Sequence, residues 1–108
     1  MADTLTLENL TAAELARGLA EGRYLLVDVR EPAEFDAGHI EGAVPFPLST
    51  FDPAALPDPE GKAIVFQCAG GVRSAHAAHA AMAAGLPANR HLAGGLNAWK
   101  SAGLPTVS

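Results

Sequence analysis

The run Ile64-Val65-Phe66-Gln67-Cys68-Ala69-Gly70-Gly71-Val72-Arg73-Ser74 constrains the fold more than any other part of the chain. An apolar stretch stops at the one cysteine, and two adjacent glycines follow. An alanine-rich segment without proline or glycine then continues from Ser74 to Ala84. The pattern predicts a buried strand, a tight loop and a helix opening. N–H groups of such a loop converge on one spot, and a helix N-terminus adds roughly half a positive charge there. A thiol so placed loses its proton more readily, and an anionic group attached to it is held. A lone cysteine is more often a small buried hydrophobe. The two glycines and the arginine beside this one point instead to a reactive thiol.

The flanking segments supply strands and helices in alternation. Leu5-Thr6-Leu7 alternates weakly and predicts a short first strand. Thr11 and Glu14 form a capping box, with Leu10 and Leu15 at the staple positions, so a helix opens there and ends at Gly22. Tyr24–Arg30 is almost continuously apolar, as in a central strand covered on both faces. Asp28 and Arg30 fall at its C-terminal end, the side on which open α/β sheets bind ligands. Pro32 in the first turn suits a helix beginning near Glu31, with Phe35 expected in the core. Val44–Leu48 is too rich in proline for a long strand. A helical turn is expected around Phe51–Leu56, a last short strand at Arg90–Ala93, a tight turn at Gly94-Gly95 and a final helix over Leu96–Ala102. This order predicts one α/β domain over residues 1–108 with a mostly parallel sheet and helices on both faces.

The totals narrow the function. Of the 108 residues 49% are apolar, enough for one core, and a formal net charge of −5 argues against nucleic acid or an anionic membrane surface as partner. No apolar run approaches the roughly 20 residues of a membrane span. Met1-Ala2-Asp3-Thr4 lacks a basic leader region, and one cysteine forms no internal disulfide, so a cytoplasmic location is expected. No motif calls for a cofactor.

Four segments in order resemble the rhodanese (sulfurtransferase) family: Asp28-Val29-Arg30-Glu31 with Glu34-Phe35; Gly38-His39-Ile40-Glu41-Gly42-Ala43; Cys68 through Ser74; and Gly94-Gly95 with Trp99 and Gly103-Leu104-Pro105. The resemblance implies a rhodanese-like sheet of about five strands flanked by helices. It also implies a two-step transfer of sulfane sulfur. Cys68 takes the outer sulfur of thiosulfate or a persulfide donor, becomes a persulfide, and passes the sulfur to an external thiol or cyanide. Ala69, Gly70, Gly71, Val72, Arg73 and Ser74 would bind the anionic group, and Asp28 with Arg30 would brace the site. With no second cysteine, the acceptor must come from outside the chain.

Four residues, Ala69 to Val72, separate Cys68 from Arg73. The related cysteine-dependent phosphatases and arsenate reductases carry one residue more, so the loop length resembles the sulfurtransferase form, and phosphatase chemistry is the lesser enzymatic alternative. A non-catalytic interaction module of the same fold is the other alternative, and the presence of Cys68 argues against it. Some members carry further cations where this chain has Ala69 and Val72, which leaves Arg73 as the loop's one cation. His39 is expected to be satisfied by backbone in its turn. His76 and His79 share a helical face without enough ligands for a metal site. Trp99 is expected to pack in the core, and Ser74 to cap the helix or face the loop.

Overall fold

A computed structural model describes residues 6–108. In chain order the elements are β1 (Glu8–Leu10), α1 (Ala12–Ala20), β2 (Tyr24–Asp28), α2 (Pro32–Ala37) and β3 (Val44–Pro45). Two 3-10 turns follow (Leu48–Thr50 and Pro53–Ala55), then β4 (Ala63–Gln67), α3 (Val72–Ala83), β5 (Arg90–Leu92) and α4 (Gly95–Ser101). The five strands form one sheet in the order β1-β5-β4-β2-β3, and every pairing is parallel. The apolar runs β2 and β4 pair along their whole length at its centre, Tyr24 opposite Ala63 through Asp28 opposite Gln67.

Strand alternation divides the core in two. Leu26, Val65 and Leu92 face one way and pack with Leu15 of α1 and Leu96 and Trp99 of α4. Val27, Ile64 and Phe66 face the other way and pack with Ala77, Ala78 and Ala81 of α3. The alanines of α3 allow the helix to lie close to the sheet, which brings its first turn to the end of β4. The capping box is present: Thr11 Oγ1 accepts from the Glu14 N–H at 3.1 Å, and Glu14 Oε1 accepts from the Thr11 N–H at 2.9 Å.

Four expectations change. The first strand is Glu8–Leu10 rather than Leu5–Leu7, because Leu10, just before the cap, is the residue the core buries; Leu5 lies outside the described residues. Phe35 is not in the core but stacks on His39, with ring centroids 3.8 Å apart. The turn expected over Phe51–Leu56 splits into two. Phe51 lies between them, its ring set edge-on to Phe46 and Phe66. Finally, α3 begins at Val72 instead of Ser74, which moves Arg73 out of the loop and into the helix.

Candidate active site

Cys68 follows β4 directly, at the C-terminal edge of the sheet, and is 1% exposed. Its sulfur is the focus of the loop. The Gly71 N–H donates to Sγ at 3.1 Å and the Ser74 N–H at 3.3 Å, while Ser74 Oγ lies 3.5 Å away. The N–H groups turn inward because the carbonyls are bonded elsewhere. Leu96 N–H donates to the Cys68 carbonyl at 2.8 Å and Asn97 N–H to the Ala69 carbonyl at 3.0 Å, so the first turn of α4 clamps the loop from outside. Gln67 Nε2 also donates to the Cys68 carbonyl.

Glycine is required on both sides of this contact. Gly71 has φ +104°, and a Cβ there would come within 3.2 Å of the Gly94 nitrogen. A Cβ on Gly95, whose φ is +59°, would lie 2.5 Å from the Ala69 carbonyl carbon and from the Cys68 carbonyl oxygen. Gly70 is exposed, and a Cβ there would meet nothing. The turn expected at Gly94-Gly95 is therefore the partner of the loop, and the recurrence of a glycine pair in one short chain is the signal that could have revealed it.

Burial pushes the Cys68 thiol up. The Ser74 hydroxyl and the N–H groups of Ser74, Gly71 and Gly70 more than offset that and leave it below its ordinary range. The thiolate is the nucleophilic form, so the loop favours reaction at sulfur.

Arg73 does not stand over the sulfur as a free cation. Its guanidinium forks onto Glu34 of α2, with Nη1 to Oε1 at 2.7 Å and Nη2 to Oε2 at 3.0 Å. The hydrogen bond from Arg73, then the one from the Glu31 N–H, holds the Glu34 carboxyl down to about 2. A negative charge thus sits against the cation expected to attract an anionic donor. Val72, the first helical residue, is 70% exposed at the rim.

Asp28 and Arg30 form a buried pair. Arg30 Nη2 lies 2.7 Å from Asp28 Oδ2, and the same guanidinium donates to the carbonyls of Glu34, within α2, and Gly38, its C-cap. The pair fixes α2 to the end of β2, and α2 carries the carboxylate that meets Arg73. His39 sets Nδ1 2.8 Å from the Phe35 carbonyl oxygen, and Trp99 donates from Nε1 to the Pro105 carbonyl at 2.8 Å. His76 and His79 are exposed on α3; among the described residues no group of three or more His, Cys, Asp or Glu is placed to hold a metal ion. No helix there is long and apolar enough to cross a membrane.

One site neighbour escaped the sequence reading. His91 on β5 places Nδ1 2.8 Å from Ser74 Oγ and Nε2 2.7 Å from Asn9 Oδ1 of β1. It lies one residue before the C-terminal end of a parallel strand, near the edge that drew attention to Asp28.

A model of the Rhodanese-like domain matches residues 11–102. The chain belongs to the rhodanese family. Among curated relatives, the Synechocystis protein slr1261 is 51% identical over 83 residues, covering 77% of this chain and 46% of that protein. The rhodanese chain thus spans about half the length of that relative. A sulfurtransferase of Allochromatium vinosum is 36% identical over 84 residues, covering 78% of each. The structure of the human single-domain sulfurtransferase TSTD1 superposes with a TM-score of 0.73 at 33% identity, covering 86% of this chain and 95% of that one. These likenesses support a sulfurtransferase-type role for this rhodanese fold.

Proposed function

We propose that this rhodanese domain, residues 1–108, moves a sulfane sulfur through a persulfide on Cys68. One observation carries the reading: two backbone N–H groups converge on Sγ while the loop carbonyls are turned away onto α4. Such a cradle stabilises a thiolate before attack and an anionic sulfur after it. In the first step the thiolate attacks the outer sulfur of the donor. The new S–S bond forms as the donor's own bond to that sulfur breaks, and the donor leaves with the electron pair, as sulfite when the donor is thiosulfate. In the second, an external thiol or cyanide attacks the outer sulfur of the persulfide and releases Cys68 as thiolate. The Glu34–Arg73 pair favours a persulfide carried by a thiol over free thiosulfate, because the cation is already engaged. No cofactor takes part.

Intact-mass measurement of the reduced protein after thiosulfate or a thiol persulfide tests this. One added sulfur on the wild type and none on Cys68→Ser is expected. A wild-type protein that gains no sulfur from either donor overturns the reading and leaves a non-catalytic interaction module in its place. Turnover of an aryl phosphate would favour the phosphatase alternative instead.

A further inference from the structure

Behind Cys68 a line of side chains leads away from the loop. Sγ is 3.5 Å from Ser74 Oγ, Oγ is 2.8 Å from His91 Nδ1, and Nε2 is 2.7 Å from Asn9 Oδ1. Ser74 is fully buried and His91 is 4% exposed. Three elements contribute: α3 the serine, β5 the histidine and β1 the asparagine. The arrangement is directional. An amide oxygen only accepts, so Nε2 carries a proton, and in a neutral imidazole Nδ1 is then bare. The Ser74 hydroxyl has two acceptors besides sulfur, the Gly71 carbonyl at 3.2 Å and a bare Nδ1 at 2.8 Å, and the shorter contact draws its hydrogen to Nδ1. Ser74 then turns a lone pair toward sulfur, where it accepts from the thiol and gives a thiolate nothing.

We propose that His91 is a positioning residue for Cys68: by taking a proton at Nδ1 it turns the Ser74 hydroxyl around, so that the hydroxyl donates to the thiolate. The inference rests on Cys68 being the nucleophile. The proton balance is closed within the chain. The S–H bond of Cys68 breaks as that hydrogen joins Ser74 Oγ, and the former Oγ–H breaks as its hydrogen joins Nδ1. The products are a thiolate, a serine hydroxyl directed at it, and an imidazolium held between Oγ and Asn9 Oδ1. Net charge is conserved and nothing is oxidised.

The surroundings of the ring fit a base that is neutral at rest. Burial holds His91 below its ordinary range, and the charge of His79 on α3 adds to that. The groups bonded to the ring are the Ser74 hydroxyl of α3 and the uncharged Asn9 amide of β1. Arg90 and Glu8, one position earlier on the two strands, point to the opposite face by strand alternation and bond each other at 3.1 Å.

The rate at which iodoacetamide alkylates Cys68 in the full chain, followed against pH, reads the thiolate without any sulfur donor. His91→Gln keeps a polar side chain but cannot take the proton, and its profile should move up by about one pH unit, with about tenfold slower alkylation below the midpoint. Ser74→Ala added to His91→Gln should move it little further, because both act through one hydroxyl. Asn9→Asp puts an anion against Nε2, favours the imidazolium, and should move the profile down by about one unit. Asn9 is an exposed position, so this variant decides the matter even if His91→Gln does not fold. An unmoved profile in folded Asn9→Asp overturns the inference, as does one in folded His91→Gln. Because alkylation needs no donor, that result is separate from a failure to gain sulfur, which bears on the sulfurtransferase reading alone.

Discussion

Arg73 shows how a single contact changes the chemistry a residue type suggests. An arginine next to a nucleophilic loop reads as an anion hook, but here it is forked onto Glu34. The carboxyl ordinarily titrates near 4.5 and is held at about 2. A carboxyl depressed on folding contributes stability that is present above its unfolded value and lost as pH falls through the folded one. The pair therefore persists across pH 5–8. Glu34→Gln frees the cation, and its rate with thiosulfate should rise by about two- to fivefold, the scale of a partly exposed ion pair. Arg73→Ala should lower that rate while sparing a neutral persulfide donor. Should both substitutions slow thiosulfate alike, as seen in single-turnover sulfur uptake, the pair's role is to hold α2 against α3. Cys68, Arg73 and Ser74 were legible as a cluster because they are close in sequence. Glu34 is 39 positions from Arg73, and His91 is 17 from Ser74. Nothing in their own neighbourhoods announces those partners.

The contact between the Cys68 loop and α4 is where the site is made at the scale of elements. Gly95→Ala sets a Cβ 2.5 Å from loop backbone at a left-handed position. Neither helix nor loop can yield there without moving the N–H groups that face the sulfur. Sulfur uptake should fall by about a hundredfold, the usual result of misplacing reacting groups by about an ångström. Gly61→Ala is the comparison for strain alone, since φ is +87° there with open space around the site. It should lose about 1 kcal/mol of stability and keep its uptake rate. Equal uptake in both variants, with equal melting temperatures, would mean that α4 does not shape the loop. The helices were legible from caps and breakers, as Thr11, Glu14 and Gly22 show. The boundary of α3 was not, because an alanine-rich stretch carries no face. Only the αL cap at Gly71 fixes its start.

Among the described residues, one sheet separates two cores with no buried side chain in common. Phe66 fills the α3 side and Leu15 the α1 side, both fully buried. Phe66→Ala should cost about 3–5 kcal/mol and Leu15→Ala about 2–5. Either is a large fraction of the roughly 5–15 kcal/mol that holds a domain together. Because the sheet lies between them, the two losses should add to within about 0.5 kcal/mol in urea unfolding. A double variant markedly more stable than the sum would show that the faces repack together.

The strands Tyr24–Asp28 and Ala63–Gln67, the capped first helix and the glycine loop after Cys68 were determined by the sequence itself. Each depends on a local pattern of polarity, turn residues and caps that acts within a few positions. The Asp28–Arg30 pair was readable for the same reason. The order of the strands brought Asn9 and His91 side by side and set both behind Ser74. Docking of α4 turned the loop carbonyls outward, and docking of α2 neutralised Arg73. These are contacts between distant segments, and their geometry is set by how the helices pack on a twisted parallel sheet. Local sequence chose a thiol at a strand end; tertiary structure decided which charges and protons that thiol meets.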